Sequence, residues 1–349
     1  MNQYLKEKYL QNRYLRNKYF LAGMAAFCLL LGMAFFWHSH LNAPKAGSDG
    51  KTVLFRVESG MSAANIADQL KKDQLIDNVA AFRTEAKISG LEKSLQAGAY
   101  RLTRGMSVRQ IIDVFAAGKV EQIAFTVPEG YTVTQIAELI EQLKLGKKAR
   151  FLELARSYAP YEYMQTENPD VVYKVEGFLF PSTYYLSADM NEKQILTMMA
   201  AEFNKRFTSE KQQQLAANRL TARQWVTMGS LVEKEAQVET DRPLIAGVFY
   251  NRLHDQMPLQ SCATIQYIIG YPKAELTVAD TERPSPYNTY LHPGLPPGPI
   301  ANPGAAALTA ALEPAQTEYE FFVVQQNGAH RFSRTYDEHL QAIQQVSGQ

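Results

Sequence analysis

One glutamate, Glu235, is the residue of this sequence whose position points most clearly to chemistry. The segment 223–238 has the spacing of a helix, and at about 100° per residue its apolar side chains fall on one stripe. Glu235 lies on that stripe, whereas its neighbour Lys234 projects to the opposite side. A buried carboxylate without a partner costs free energy, so we expect Glu235 to be protonated or hydrogen-bonded. The stripe consists of Trp225, Met228, Leu231, Val232 and Ala236.

Two interpretations of Glu235 are open at this point. It is either an acid–base group held at raised pKa for proton transfer, or a glutamate at a helix edge that pairs with a cation. Its neighbour Glu233 projects near the edge of the stripe. We expect Glu233 to orient the site or to pair with Arg242 or Arg252 rather than to perform chemistry.

The spacing of cysteine and histidine argues against a metal centre. Cys28 lies in an apolar segment and Cys262 far along the chain, so no disulfide within one domain is possible. Neither cysteine has a Cys or His neighbour at ligand spacing, and the six histidines never pair as in a zinc motif. We therefore expect no metal and no cofactor, and we interpret Cys262 as a packing residue rather than a nucleophile.

Composition excludes one class of partner and bounds the architecture. The 349 residues carry 36 Lys plus Arg against 35 Asp plus Glu, a net charge of +1. This balance gives no excess of basic residues of the kind that indicates nucleic-acid binding. The length allows two or three domains with cores of their own.

The N-terminal charge distribution predicts a membrane anchor. Basic residues crowd the first 18 positions, and 19–37 carries no charge over a length that just crosses a bilayer. A cleaved signal peptide is the alternative, but the apolar run is long for one and no small-residue cleavage site follows it. By the positive-inside rule we expect a cytoplasmic tail (1–18), a transmembrane helix (19–37) and a linker (38–50). The remainder would lie outside the cytoplasmic (inner) membrane, on a single-pass protein.

A weak internal repeat follows the linker. Segments 55–70, 100–115 and 125–140 each show a strand-like start, a glycine, and a hydroxyl residue followed by a helical pattern. The hydroxyls of Ser62, Ser107 and Thr132 are placed to cap the helices. The first two copies, with the helical segment 78–88 between them, resemble a LysM-like module, a βα fold that binds N-acetylated glycans. The alternative is a packing unit that only positions the next domain.

The region around and after Glu235 carries a specific resemblance. Its blocks are 232–235 (VEKE), 242–253 (RPLIAGVFYNRL), 259–261 (LQS), 285–290 (SPYNTY) and 294–304 (GLPPGPIANPG). These blocks, in this order, resemble the endolytic murein transglycosylases, the MltG or YceG-like family. With the anchor and the LysM-like module, the resemblance covers the chain from about residue 19 onward.

The resemblance implies an enzyme, a lytic transglycosylase that acts on peptidoglycan glycan strands. Such enzymes cut the β-1,4 bond between N-acetylmuramic acid and N-acetylglucosamine and leave a 1,6-anhydro end. The family's catalytic carboxylate is the second Glu of the Glu-x-Glu block, here Glu235. It further implies an enzyme that terminates nascent strands beside membrane-bound cell-wall synthases. The alternative function is a non-catalytic, membrane-tethered glycan-binding or scaffold protein.

The remaining site residues receive weaker assignments. Gln260 and Asn288 are amides suited to sugar hydroxyl or N-acetyl groups, and Tyr287 and Tyr290 are rings suited to sugar faces. For each of the four, a loop-fixing hydrogen bond or a core aromatic is the alternative. Arg252 is a supporting residue.

Four further features of the family pattern are noted. The Pro- and Gly-rich segment 293–304 is expected to be a rigid cleft wall or a plain surface loop. Glu176 is expected to be structural. Cys262 and Ser182 depart from the pattern, which has Asp usually at the first position and often at the second.

The predicted fold class is α+β. A small LysM-like βα domain (51–122) would follow the transmembrane helix and lead into a larger mixed catalytic domain (123–349). Within the latter, helices are expected over 192–207 and 222–238. A hairpin with an Asn327-Gly328 turn is expected to join strands at 319–324 and 330–333, followed by a helix over 336–346.

Overall fold

A computed structural model describes residues 18–33, 35–36, 39, 50–58, 60–187, 190–273 and 275–347. The predicted cytoplasmic tail, except Lys18, and most of the predicted linker lie outside the described residues. The fold is mixed α+β, as the sequence predicts. The chain divides into two compact units, residues 1–123 with 187–189, and residues 124–186 with 190–349.

The apolar N-terminal segment is helical over residues 18–33 and 35–36, and its side chains there are exposed. Within the described ranges, no helix combines the length and hydropathy needed to cross a membrane. Positions 34 and 37 of the predicted span 19–37 fall outside those ranges.

From residue 50 to residue 121, the described part of the first unit is a two-stranded sheet with three helices. Strands β1 (Thr52–Val57) and β2 (Gly98–Thr103) pair antiparallel. Helices α1 (Ala63–Lys72) and α2 (Val79–Ile88) connect them, and α3 (Val108–Ala116) follows β2. Phe115 lies at the centre of the core, with the Phe55 ring 5.7 Å and the Tyr100 ring 4.8 Å from it, centroid to centroid.

The predicted helix caps are present in all three copies of the repeat. Ser62 accepts a hydrogen bond from the N–H of Asn65, and Ser107 forms a reciprocal capping box with Gln110. In the third copy Thr132 does the same with Gln135 at the start of α4 (Val133–Gln142). Strand β3 (Gln122–Thr126) precedes this helix and pairs with β4 (Thr183–Ser187).

In the second unit, the described helices and one hairpin pack around the helix Ala222–Glu235, which carries Glu235. The side chains of Phe178, Phe203 and Trp225 are fully buried in its core. Besides α4, the α-helices of its described residues are α5 (Lys148–Ser157), α6 (Glu192–Arg206), α7 (Ser209–Ala217), α8 (Ala222–Glu235), α9 (Arg242–His254), α10 (Cys262–Ile269), α11 (Val278–Thr281), α12 (Ala305–Leu312) and α13 (Tyr336–Ser347).

Helix α8 ends earlier than the sequence pattern predicts. The prediction of a helix to Val238 is wrong, because the backbone is already extended at Ala236, with φ −68° and ψ 124°. At its other end Thr221 and Gln224 form a capping box. In its middle Trp225 donates its indole N–H to the carbonyl of Leu308 on α12 at 2.8 Å. Glu235 is therefore the last helical residue, at the end of a well-fixed helix.

Two further predictions can be compared with the structure. The apolar segment 176–181, for which the sequence predicts a buried strand or turn, is buried and has a turn at Gly177, whose φ is +84°. The C-terminal hairpin is present, and β5 (Phe321–Val324) pairs antiparallel with β6 (His330–Ser333). Its turn contains Gly328 at φ +82°, a conformation that favours glycine.

Candidate functional site

Glu235 is partly buried at the C-terminal end of α8. The helix presents Met228 and Leu231 to the core with no exposure, and Lys234 is exposed, as the helical pattern predicts. In the described part of the chain no basic side chain lies within ion-pair distance of Glu235. The negative end of a helix dipole disfavours a carboxylate, so this position favours the protonated acid.

The carboxyl group of Glu235 contacts the start of α10. Its Oε1 accepts a hydrogen bond from the Oγ of Ser261, and the backbone N–H of Ala263 also hydrogen-bonds the carboxyl. Burial raises the pKa of Glu235, while the hydrogen bonds and the charges of His330 and Lys234 act in the opposite direction. Desolvation is the largest of these influences. The group can hold a proton for donation and still has donors ready for the carboxylate that remains.

Ser261 is held in place by a small network of hydroxyl groups. Its backbone N–H donates to Thr289 Oγ1 at 3.0 Å, and Thr264 Oγ1 donates to the Ser261 carbonyl at 2.7 Å. The Oγ1 atoms of Thr264 and Thr289 are 3.0 Å apart. Ser261, Thr264 and Thr289 are all buried. The serine that contacts Glu235 therefore has a fixed backbone position.

Gln260 has a strained backbone next to this serine. Its φ is +50°, and its N–H donates to the carbonyl of Thr289 at 3.0 Å. Among the described non-glycine residues with positive φ, the other four directly follow helix C-caps, where this conformation is common. Gln260 follows no helix. Its side chain is exposed beside Ser261 and open to a ligand.

The other predicted substrate residues lie in one loop but differ in exposure. Tyr287 is buried, and burial raises its pKa to about 12. Asn288 is buried and donates both amide hydrogens to the carbonyls of Thr281 and Arg283, at 2.9 and 2.8 Å. Its side-chain Oδ1 accepts the N–H of Tyr290 at 2.9 Å. Asn288 thus has the loop-fixing contacts of the alternative interpretation, and no N–H is left for a sugar.

Tyr290 lies close to Glu235, together with Cys262. The Tyr290 hydroxyl and the Cys262 sulfur are 3.2 Å apart. Burial raises the pKa of both groups, and the charge of Glu235 adds to each rise. The exposed Cys262 therefore has the raised pKa of a poor nucleophile.

Ser182, the other departure from the family pattern, accepts the N–H of Val127 at its backbone carbonyl.

The two supporting residues have different partners. Glu233 accepts hydrogen bonds from Arg242 Nη2 at 3.3 Å and from the N–H of Gly304 at 2.9 Å. It thereby ties α8 to the start of α9 and to the end of the Pro- and Gly-rich segment.

Arg252 is buried and its guanidinium makes no contact with Glu233. It donates from Nε to the carbonyl of Glu320 at 2.6 Å and from Nη1 to that of Leu259 at 2.9 Å. It therefore joins the segment before Ser261 to the base of the C-terminal hairpin.

A cavity of about 340 Å³ adjoins the Glu235 region through neighbouring residues, and Glu235 itself is not part of its lining. Its wall includes Lys234, directly before Glu235, and Ala263, whose N–H bonds its carboxyl. The rings of Tyr267 and Tyr287 form part of the wall, 5.1 Å apart between centroids. Tyr271 also lines the cavity, and at 59% exposure its ring is free to receive a flat ligand.

A second, more open cavity shares Ser285 with the first. Its volume is about 760 Å³, and its wall includes Asn168, Asp170 and His292. Two residues of the Pro- and Gly-rich segment, Leu295 and Pro297, complete it. That segment is therefore a cavity wall, one of its two predicted alternatives.

Glu176 is a second carboxyl with an unusual environment. It is almost completely buried and accepts hydrogen bonds from the N–H of Val133 at 3.0 Å and from Asn302 Nδ2 at 3.1 Å. The hydroxyl of Tyr267, a cavity residue, is 3.4 Å away. Burial raises the pKa of Glu176 to about 8, although these hydrogen bonds lower it. Its contacts lie within the protein, so it joins α4, α10 and the Pro- and Gly-rich segment.

The sequence patterns assign no role to two residues of this site. Ser261 contacts Glu235 directly, and Tyr271 is an exposed ring in the cavity. Ser261 belongs to one of the sequence blocks that resemble the family. Its partner Glu235 is 26 residues away in the chain, so the sequence contains no sign of this contact. Tyr271 directly follows the helix-ending Gly270 and gives no periodic signal. In the described residues no group of three or more His, Cys, Asp or Glu side chains could hold a metal ion.

Comparisons with known proteins converge on one family. The model of the YceG-like family matches residues 55–345. A Bacillus subtilis protein named endolytic murein transglycosylase is 36% identical over 326 residues, which cover 90% of each chain. A Streptococcus pneumoniae protein of the same name is 30% identical over 80% of this chain and 55% of its own length.

A solved structure is also similar. The crystal structure of a yceG-like protein from Listeria monocytogenes aligns with a TM-score of 0.58 and 34% sequence identity. The alignment covers 84% of this chain and all of that one.

Proposed function

Because the chain belongs to the YceG-like family, we propose that it is a lytic transglycosylase that cuts inside peptidoglycan glycan strands. The bond cut is the β-1,4 linkage between N-acetylmuramic acid and N-acetylglucosamine. The observation that carries the proposal is Glu235, a partly buried carboxyl of raised pKa beside a cavity. The relatives named endolytic murein transglycosylase support the substrate class.

Glu235 serves as acid and then as base. In its protonated form it gives its proton to the glycosidic oxygen, and the bond to the muramic acid breaks. The carboxylate that remains then takes a proton from the C6 hydroxyl of the same sugar, whose oxygen closes the 1,6-anhydro ring. The enzyme returns to its starting protonation state, and no water enters the product. One carboxyl is sufficient because the substrate supplies the nucleophile.

The environment of Glu235 suits both proton transfers. Burial and the helix C-terminus favour the acid before the reaction. The Ser261 hydroxyl and the Ala263 N–H favour the carboxylate as charge develops on it. His330 and Lys234 act to lower the pKa of Glu235, and the guanidinium of Arg252 is also coupled to its charge. A hydrolase would instead need a second acid about 5 to 9.5 Å away to activate or replace water.

The glycan occupies the cavity beside Glu235. Tyr271 stacks on a sugar face, Tyr287 lies in the wall behind it, and the exposed amide of Gln260 contacts sugar hydroxyl or N-acetyl groups. Tyr290, whose hydroxyl contacts Cys262 and whose pKa is raised in part by the charge of Glu235, is placed to contact the sugar at the cut. The open second cavity extends the groove, which suits an enzyme that binds a strand away from its ends.

The chain is anchored in the cytoplasmic membrane by its N-terminal segment, with the catalytic unit outside. The basic residues of positions 1–18 and the uncharged run 19–37 support this anchor. So do the exposed apolar side chains of that run, among them Phe20, Leu29 and Phe35. The first unit acts as a LysM-like glycan-binding module. Tethered in this way, the enzyme terminates nascent strands close to the membrane-bound synthases that make them.

The test is analysis of the new strand ends. Uncrosslinked glycan strands are incubated with the full chain and the ends are identified by mass spectrometry, with Glu235→Gln as the matched variant. The proposal expects 1,6-anhydro-muramic ends from the unchanged protein only. Reducing ends would indicate a hydrolase. Glycan binding without cleavage would favour a non-catalytic tether.

A further inference from the structure

The cavity of about 340 Å³ has a single charged side chain in its wall. Of the described residues that line it, Lys234 alone is an Asp, Glu, Lys, Arg or His. The others carry hydroxyl, amide, aromatic or apolar side chains, and burial raises the pKa of Tyr267 and Tyr287, so both phenols stay neutral. A cavity lined by one sign of charge attracts ligands of the opposite sign. This cavity therefore suits an anionic group.

The stem of Lys234 is supported by the turn before α4. A Cβ on Gly130, which lies in that turn at φ +74°, would be 3.6 Å from Lys234 Cδ. The turn is itself fixed, because the N–H of Gly130 donates to the carbonyl of Asn302 at 2.9 Å. Within the described ranges Lys234 forms no salt bridge. Its ammonium group, at the end of a packed stem, is therefore free to bind an anion in the cavity that the residue lines.

Two neutral hydrogen-bond donors line the same cavity as Lys234. Gln135 accepts the N–H of Thr132 at its side-chain Oε1, at 2.9 Å, and its amide hydrogens have no partner in the described part of the chain. Thr132 Oγ1 accepts the N–H of Gln135 at 3.2 Å, so its own hydrogen can still be donated. Both residues are in the cavity wall. One cation with two hydrogen-bond donors is an arrangement that suits a carboxylate, which only accepts hydrogen bonds when ionised.

We propose that Lys234 is a specificity-determining residue that binds a carboxylate carried by N-acetylmuramic acid. This sugar differs from the uncharged N-acetylglucosamine by a lactyl ether on O3 that ends in a carboxyl group. In a bare strand that group is a carboxylate. Where a stem peptide is attached, it is an amide, and the carboxylates lie on the peptide. Lys234 transfers no proton in the reaction. The inference rests on the proposed function, since it names the part of the strand that the cavity recognises.

The test is the selectivity of strand cleavage by the full chain. Glycan strands freed of peptides by an amidase are prepared in two forms, with muramic carboxylates and with the same groups converted to methylamides. We expect kcat/KM to be roughly three- to tenfold higher for the carboxylate form, and this ratio to fall to about one in Lys234→Met. The ratio should also narrow as salt is added. Because both substrates are compared on the same protein, the effect of Lys234 on Glu235 cancels.

Two variants and one further substrate keep the test selective. Lys234→Arg keeps the charge and should keep the preference. Lys193→Met is the matched control, since Lys193 is exposed on α6 and lies outside both cavities; it should leave the ratio unchanged. Strands that retain stem peptides identify the source of the carboxylate. If they are cleaved like the methylamide form, Lys234 binds the lactyl carboxylate. If they are cleaved as well as the carboxylate form and lose this in Lys234→Met, it binds a peptide carboxylate.

A second measurement does not depend on cleavage. In the full chain carrying Glu235→Gln, acetylation of Lys234 by an amine-reactive reagent is followed by mass spectrometry, with Lys193 as the internal reference. Carboxylate strands should protect Lys234 at roughly three- to tenfold lower concentration than methylamide strands. If the unchanged protein cleaves no strand, the proposed function fails, whereas this protection still reports on Lys234. Equal protection by the two forms, or a cleavage preference that survives Lys234→Met, overturns the inference.

Discussion

The buried Glu176 makes the stability of the second unit depend on pH in a specific direction. Its pKa is raised from 4.5 to about 8, chiefly by burial. Between those values the folded protein holds a proton that the unfolded chain has released. The contribution of Glu176 to the free energy of unfolding is therefore fully present below about pH 4.5 and is lost as the pH rises through about 8. The change Glu176→Gln supplies a neutral side chain of the same size and removes this dependence.

The magnitude follows from the size of the shift. One proton held by the folded state alone gives a slope of about 1.4 kcal/mol of unfolding free energy per pH unit. From pH 5.5 to pH 7.5, Glu176 should therefore cost the unchanged protein on the order of 2 to 3 kcal/mol. Relative to the unchanged protein, the glutamine variant should gain that amount of stability over the same interval.

The assay is urea unfolding of the full chain at several pH values, followed by the fluorescence of Trp225, which is buried in the same unit. Only the difference between the two proteins is interpreted, since other titrating groups are common to both. A difference that stays constant from pH 5.5 to 7.5 would refute the reasoning. It would mean that the hydrogen bonds from Val133 and Asn302 outweigh burial and keep Glu176 ionised.

Three further predictions concern catalysis. Removing the hydroxyl in Ser261→Ala should move the alkaline limb of kcat/KM upward by about one to two pH units, because a hydrogen bond to a charged group is worth about 1.5–3 kcal/mol; an unmoved limb would contradict the contact with Glu235. Tyr271→Ala should raise KM severalfold, to roughly tenfold at most, with little change in kcat if the ring packs on a sugar face, since aromatic packing contributes about 0.5–1.5 kcal/mol beyond the area it buries. The similarly exposed Tyr185, which lies outside both cavities, should tolerate the same change. Arg252→Lys should lower kcat and the melting temperature together, because a lysine cannot hold the Leu259 and Glu320 carbonyls at once in the same geometry; unchanged values would show that these bonds do not position the site.

Local signals explain why much of the fold could be predicted from the sequence. A hydroxyl two residues after a glycine and before a helical pattern is enough to specify a capped helix, and Ser62, Ser107 and Thr132 all act as caps. The Asn327-Gly328 turn is equally local. The end of α8 is different, because no glycine or proline lies in the seven positions after Glu235. Only the packing of the chain after Ala236 ends that helix.

The sequence predicts only the part of the candidate site that lies on one face of one helix. The helical stripe places Glu235 beside the core, but its partner Ser261 is 26 residues away and comes from the start of another helix. The internal hydrogen bonds of a side chain also depend on the tertiary structure. The sequence therefore could not decide that Asn288 donates both amide hydrogens to backbone carbonyls.

The central claim is that Glu235 alone performs both proton transfers and that the substrate, not water, closes the new end. The most direct measurement is strand cleavage in water enriched in heavy oxygen, with the isotope content of each new muramic end read by mass spectrometry. The account predicts anhydro ends that carry no solvent oxygen, and no new ends with Glu235→Gln. Heavy oxygen in the new ends, or cleavage that survives the loss of the Glu235 carboxyl, would contradict it.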